Sequence, residues 1–287
     1  MSRSSTRSAS PSGELFIVAT PIGNLGDFSQ RAIEVLQQVD LIAAEDTRHS
    51  GKLLNYFNIN TPCFAVHDHN ERQKAQEIVA KIHDGKSVAL ISDAGTPLVS
   101  DPGYNLVCAC VEADIKITTV PGPCALIAAL SISGLASDRF SFHGFLPAKS
   151  KGRCDALAEL KAVEHTLIFY ESPHRIEASL EDFAAVLGGD RPAVLVRELT
   201  KNYETALRGT LTELRAALDL DENQRRGEMV LLVAGAEPQA QAVELSEDMQ
   251  WLARELDQDL STKRAAELVA KVSGVKKKDV YRWLVEE

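Results

Sequence analysis

Glu45-Asp46-Thr47-Arg48-His49 gathers two carboxylates, a guanidinium and an imidazole at the end of the apolar run Leu41–Ala44. Such a set can accept a proton or clamp a polar substrate. It can equally be a helix N-cap with a solvated ion pair. Arg197-Glu198-Leu199-Thr200-Lys201 poses the same two alternatives after another apolar run. Ser92-Asp93-Ala94-Gly95-Thr96-Pro97, followed by Asp101-Pro102-Gly103, puts acids and glycines at the end of Val88–Ile91. Negative charge there disfavours phosphate and suits a ligand with an amine, hydroxyls or a cation. S-adenosylmethionine, with its sulfonium and ammonium, is such a ligand.

Three further loops have this character: Thr20–Asp27, Val120–Cys124 and Glu171–Arg175. Gly allows close backbone approach and Pro stiffens the turn. His67-Asp68-His69-Asn70 sets alternate side chains on one face, as metal ligands can be. It lacks third and fourth ligands, so no metal is expected and a capping or substrate-facing cluster is preferred. The chain has no G-x-G-x-x-G fingerprint, P-loop or G-x-S-x-G elbow. Those absences argue against dinucleotide binding by that motif and against hydrolysis through a serine nucleophile.

The elements that must position these loops alternate. Strands are expected at Leu15–Ala19, Leu41–Ala44, Cys63–Val66, Val88–Ile91 and Lys116–Val120. Helices are expected at Ser29–Val39, Lys52–Phe57, from an Asn70 cap to His83, and at Gly103–Glu112. This is the pattern of a mostly parallel sheet covered on both faces, with ligands at the carboxyl ends of its strands. A second unit follows the small-residue helix Cys124–Ser133. Its strands are Phe140–Phe145, Thr166–Tyr170, Ala193–Glu198 and Met229–Ala234, and its helices Arg153–Ala162 and Arg175–Leu187. Residues 236–241 read as a linker, and 242–287 as helical throughout.

Of the 287 residues, 45% are apolar and 25% charged, as in ordinary globular chains, and the formal net charge is −10. That charge excludes a general nucleic-acid clamp, so a polyanion would need a local basic face. Lys263, Arg264, Lys271, Lys276, Lys277, Lys278 and Arg282 offer one, beside Tyr281 and Trp283, in a helix–turn–helix with Gly274 at the turn. A solvated helical appendage or dimer arm is the alternative. Five cysteines without a C-x-x-C pair suit free thiols in a cytoplasmic protein. No apolar stretch is long enough for a membrane span. Residues 1–13 lack the apolar core of a secretory signal and read as a disordered tail.

ATPIGNLGD, AAEDTRHS, HDHNE, LISDAGTPLVSDPGY, VPGPCAL, GFLPAKSKGR, TLIFYESPHR, RELTK and GEMVLLV occur in this order over residues 14–235. With these segments the chain resembles the tetrapyrrole methylase superfamily, the class III S-adenosylmethionine-dependent methyltransferases. Within it, the chain is most similar to the branch that 2′-O-methylates a cytidine of 16S rRNA. The resemblance implies two α/β domains, 14–123 and 124–237, a small helical basic domain at 242–287, and a homodimer. It implies S-adenosylmethionine held by Pro21, Ile22, Gly23, Asp93, Ala94, Gly95, Thr96, Gly122, Pro123, Cys124 and Ala125. Tyr170, Glu171, Met229 and Val230 would complete the adenine side. The RNA partner is 16S rRNA or the small ribosomal subunit. Candidate proton acceptors are Glu45, Asp46 and His69; candidate RNA contacts are Arg48, Arg175, Lys201, Lys276, Lys277 and Lys278. Tetrapyrrole-substrate members carry G-A-G-P-G-D and G-G-D-P where this chain has ATPIGNLGD and Asp93-Ala-Gly-Thr-Pro. Those departures argue against the alternative, a small-molecule C-methyltransferase.

Overall fold

The computed structural model describes residues 13–67, 70–237 and 245–286. The expected N-terminal tail (but for Gly13) and most of the expected linker, like Asp68 and His69, lie outside the described residues. The chain divides into two compact units after Gly235.

The larger unit holds two five-stranded sheets. The first comprises β1 (Glu14–Val18), β2 (Leu41–Ala44), β3 (Cys63–Ala65), β4 (Val88–Ile91) and β5 (Lys116–Val120), in the order β3-β2-β4-β1-β5. Every pairing is parallel. Strand alternation sends Phe16 and Val18 to one face, against α1 (Gln30–Gln38) and α2 (Thr47–Tyr56). Leu15 and Ile17 point to the other, with α3 (Glu71–His83) and α4 (Tyr104–Glu112). Both faces are therefore covered, as near-continuous apolar strands require.

Local chemistry sets the helix starts. Ser29 caps α1 by accepting from the Ala32 N–H at 3.1 Å. α2 begins at Thr47, ahead of the expected Lys52, because Asp46 accepts from the Arg48 N–H at 2.8 Å. Asn70 occupies the N-cap position of α3 but makes no cap bond. Its side chain instead accepts from the His67 N–H at 3.0 Å and donates to the Ala65 carbonyl at 3.3 Å, closing the loop before the helix. The buried Glu71 carboxylate caps α4 from α3, accepting from the Gly103 and Leu106 N–H groups at 3.1 Å and from Asn105 at 2.9 Å.

The second sheet comprises β6 (Phe140–Phe145), β7 (Thr166–Glu171), β8 (Pro192–Arg197), β9 (Thr205–Thr210) and β10 (Met229–Val233), ordered β6-β7-β10-β8-β9. Only β6–β7 is parallel; β10 inserts antiparallel between β7 and β8, and β9 pairs antiparallel with β8. Helices α6 (Ser150–Leu160), α7 (Ile176–Leu187) and α8 (Leu211–Leu220) pack on one face. α5 (Ala125–Ser133) lies on the other, where Leu126, Ala129 and Leu130 share a core with Ile22, Ile168, Val194 and Val230. β9 and α8 escaped the sequence reading. β9 is a half-buried edge strand of mixed polarity, while α8 carries a capping box, Thr210 with Glu213, and a buried stripe of Leu211, Leu214 and Leu218.

Between β6 and β7, the Ser141 hydroxyl lies 2.8 Å from His143 Nε2 and 2.9 Å from His165 Nε2. Burial, then the neighbouring His165, pushes the His143 imidazole below its ordinary 6.5. A depressed histidine favours the fold above that value, and its contribution is lost as pH falls through and below it. The urea midpoint is expected to drop between pH 7.5 and 5.5, and to drop less in His143→Gln.

The smaller unit is a three-helix cluster of α9 (Glu247–Asp259), α10 (Thr262–Ser273) and α11 (Lys277–Glu286) around Leu245, Ala253, Ala266, Val269 and Val280. Gly274, at φ 74°, ends α10 and turns the chain into α11. The expected helix pair thus has a third helix. The expected basic character is confined to α10 and α11, since α9 carries Glu247, Asp248, Glu255, Asp257 and Asp259. Among the described residues no helix is long and apolar enough to cross a membrane.

Candidate functional site

Strand order brings distant loops together. β1 lies between β4 and β5, so the loops after these three strands share one sheet edge. They are stitched by backbone. The Thr20 N–H donates to the Gly95 carbonyl at 2.8 Å and the Gly95 N–H returns to Thr20 at 3.1 Å. The Thr96 hydroxyl donates to the Pro123 carbonyl at 3.0 Å. Gly95 takes φ 87°, a left-handed conformation that its lack of Cβ permits.

These loops face the end of β7 and the start of β10, which are neighbours because the two strands are antiparallel, with Met229 opposite Glu171. Between them lies a cavity of about 400 Å³. Of the residues singled out in the sequence, Ile22, Ala94, Gly95, Thr96, Cys124, Ala125, Tyr170, Glu171, Met229 and Val230 line it. Asp101, Pro173 and Leu199, from runs noted in the sequence, line it too, as do Val99, Phe145 and Glu228, which were not proposed for it. A second recess of about 390 Å³ adjoins the same loops and takes Pro21, Gly23 and Asp93 instead. Gly122 and Pro123 line neither. Gly122 packs on Ala19, where a Cβ would come within 3.0 Å, and Pro123 receives Thr96.

The ionisable side chains lining the large cavity include three carboxylates, Asp101, Glu171 and Glu228, and no Lys, Arg or His. Glu171 is 4% exposed. Its oxygens accept from the Ser172 N–H and the Ser179 hydroxyl, each at 2.7 Å, and from Arg175. It therefore builds the 171–175 loop. Burial, then the neighbouring Cys124 thiol, pushes the Tyr170 phenol well above its ordinary value, so it can donate a hydrogen bond but not take a proton. Apolar and aromatic walls of this volume suit a drug-sized ligand. Glu171 is already paired with Arg175 and Glu228 with Lys201, so what the wall offers a positively charged ligand is the Asp101 carboxylate and the lack of any lining Lys, Arg or His.

Asp46 is held by the Arg48 guanidinium, at 3.2 and 2.8 Å, and by the Arg48 N–H. These bonds pull its carboxyl far below the usual carboxylate range. The Asp46 N–H in turn donates to Asp93 Oδ1 at 3.2 Å, and Glu45 Oε2 lies 3.5 Å from the Asp93 N–H. Glu45 and Asp46 thus buttress Asp93 rather than line the cavity, and His69 lies outside the described residues. All three larger-unit cations proposed to read phosphate pair internally, Arg48 with Asp46 as above. Arg175 pairs with Glu171, and Lys201 Nζ contacts Glu198 and Glu228, both at 2.9 Å. Arg48 remains 90% exposed. In the smaller unit, Lys277 pairs with Glu267 at 3.2 Å, as do Arg264 at 3.1 Å and Lys271 at 3.4 Å. No group of three or more His, Cys, Asp or Glu among the described residues could hold a metal ion.

Residues 14–215 match the model of the Tetrapyrrole (Corrin/Porphyrin) Methylases, and residues 243–287 that of the RsmI C-terminal HTH domain. The chain is 56% identical over 275 residues to Ribosomal RNA small subunit methyltransferase I of Escherichia coli O157:H7, covering 96% of each. In fold it is similar to the methyltransferase CobJ, with a TM-score of 0.58 at 17% identity over 78% of this chain and 95% of that one. It is also similar to uroporphyrin-III C-methyl transferase from Thermus thermophilus complexed with S-adenyl homocysteine. There the TM-score is 0.53 at 16% identity, over 77% of this chain and 97% of that one. The chain belongs to the tetrapyrrole methylase family, in the branch of the ribosomal RNA small subunit methyltransferases I.

Proposed function

We propose that the chain transfers the methyl group of S-adenosylmethionine to the ribose 2′-oxygen of a cytidine in 16S rRNA. The observation that carries this is the cavity of about 400 Å³ at the joined loop ends, apolar and aromatic with no lining Lys, Arg or His. Its residues fit the donor: Asp101 for positive charge, and Phe145, Tyr170, Met229 and Val230 for the adenine. When bound there, the donor supplies an electrophilic methyl group on sulfur. The chain's part is to hold two reactants in line, which supplies much of the rate without covalent catalysis. Asp93, at the wall between cavity and recess, is the proposed acceptor of the hydroxyl proton, with Asp46 and Glu45 as its supports.

Ala94→Trp puts an indole into the cavity from a solvent-exposed loop. Calorimetry with S-adenosylhomocysteine is expected to find affinity at least about tenfold weaker, since a filled pocket loses the ligand's buried contacts. An unchanged affinity would place the donor elsewhere.

RNA affinity is assigned to α10, α11 and the turn between them, with Lys276 of the turn and Lys278 of α11 on phosphates. We infer a cytoplasmic homodimer, for which sedimentation is the check. Deleting residues 242–287, a separate compact unit with its preceding linker, tests the substrate class. Loss of RNA methylation with donor affinity retained supports the reading. A small-molecule C-methyltransferase would be indifferent to the deletion. Mass spectrometry of rRNA digests from a strain lacking the protein identifies the missing methyl group.

A further inference from the structure

The recess of about 390 Å³ beside the donor cavity is unassigned. The two hollows lie on opposite sides of the same two loops. Ile22 faces the cavity while Pro21 and Gly23 face the recess; Ala94 and Gly95 face the cavity while Asp93 faces the recess. A wall of single residues separates them, so an acceptor seated against it would lie next to a donor in the cavity. That proximity is what methyl transfer between two bound reactants requires.

The recess differs in chemistry from the cavity. α2 brings His49, Lys52 and Tyr56 to it, one helical turn apart in sequence, where the cavity has no lining Lys, Arg or His. Tyr56 is 64% exposed, with its ring meeting Phe57 edge to face at 4.9 Å. An open aromatic face, an ammonium and an imidazole are the groups that bind a single-stranded nucleotide, by stacking its base and pairing its phosphate. Gly23, at φ 148°, keeps the loop low over this side, where the Lys201 stem already occupies the space a Cβ would need.

We infer that the recess seats the target nucleotide of the RNA, its base against Tyr56, its adjoining phosphate on Lys52 and its ribose toward Asp93. The inference rests on the RNA 2′-O-methyltransferase reading above. The test measures methylation of small ribosomal subunits by the full chain and by Tyr56→Ala, Tyr56→Trp, Lys52→Ala and Lys52→Arg. S-adenosylhomocysteine affinity is measured in parallel. Tyr56→Ala is expected to lower kcat/KM for RNA by about tenfold or more, with Tyr56→Trp close to the parent. Lys52→Ala is expected to lower it and to flatten its logarithmic salt dependence by about 0.7, with Lys52→Arg restoring both. Donor affinity stays unchanged throughout. If the parent methylates the subunits and the alanine variants match it, the recess is not the nucleotide seat. Lost donor affinity in those variants would also overturn the inference, by making the recess part of the donor site. If the parent transfers no methyl group to RNA, the functional reading itself falls, and that outcome is visible before any variant is made.

Discussion

Asp93→Asn is expected to slow methyl transfer by about 10²–10⁴-fold at saturating donor and RNA, the range for removing a positioned proton acceptor. The carboxylate lines the recess and not the donor cavity, and it is fixed by the Asp46 N–H at 3.2 Å. Asparagine keeps an oxygen for that bond, so the loop should hold while proton acceptance is lost. Asp46→Asn is the control. Arg48 already holds the Asp46 carboxyl far below the ordinary range, so it is a feeble base whatever its neighbours. Its amide analogue should keep most of the single-turnover rate. Donor affinity separates the two readings of Asp93. A loss confined to the chemical step supports proton acceptance. A loss confined to S-adenosylhomocysteine binding would return Asp93 to the donor site that the family resemblance implies.

That distinction marks how far the sequence reaches. Loops rich in Gly, Pro and Asp after apolar runs could be read as a ligand edge, because strand alternation and turn chemistry are local properties. Which side of the loop each residue faces is not local. It depends on the Thr20–Gly95 bridge, formed between strands far apart in the chain, which turns Asp93 to one hollow and Ala94 to the other. The fate of the cations is equally non-local. Lys201 meets Glu228 only because β10 runs antiparallel beside β8, and no spacing rule announces that pair. Glu198 and Thr200 take φ values of 52° and 64°, conformations that neither residue type advertises. α8 is a different case, since both its T-x-x-E box and its Leu211, Leu214 and Leu218 stripe are local signals that the sequence carries. The donor cavity was therefore readable as a set of loops, and the neighbouring recess was not. Its aromatic and cationic wall runs along α2 from His49 to the last residue, Tyr56, in a helix whose expected start fell after His49.

Arg153→Ala is expected to lower the unfolding free energy by about 3–5 kcal/mol, the range for breaking a buried ion pair. The side chain is 2% exposed and ties α6 to α7 through Asp182, with Nη2 at 2.6 Å and Nε at 2.7 Å. Nη1 also donates to the Ala148 carbonyl at 3.2 Å. Removing the guanidinium leaves the Ala148 carbonyl without this donor and Asp182 with the Ser150 hydroxyl, at 2.9 Å, in place of a charged partner. Against a typical total of about 5–15 kcal/mol this is a large fraction, so denaturant unfolding should give a much lower midpoint at similar slope. Arg153→Met combined with Asp182→Leu removes both charges together and should recover part of the loss. The pair anchors the loop that follows Phe145, a wall of the donor cavity. Residual native Arg153→Ala protein should therefore bind the donor less well even where it remains folded. The double variant separates the two effects: recovered stability with donor affinity still weak would mean that this ion pair shapes the cavity as well as supporting the fold.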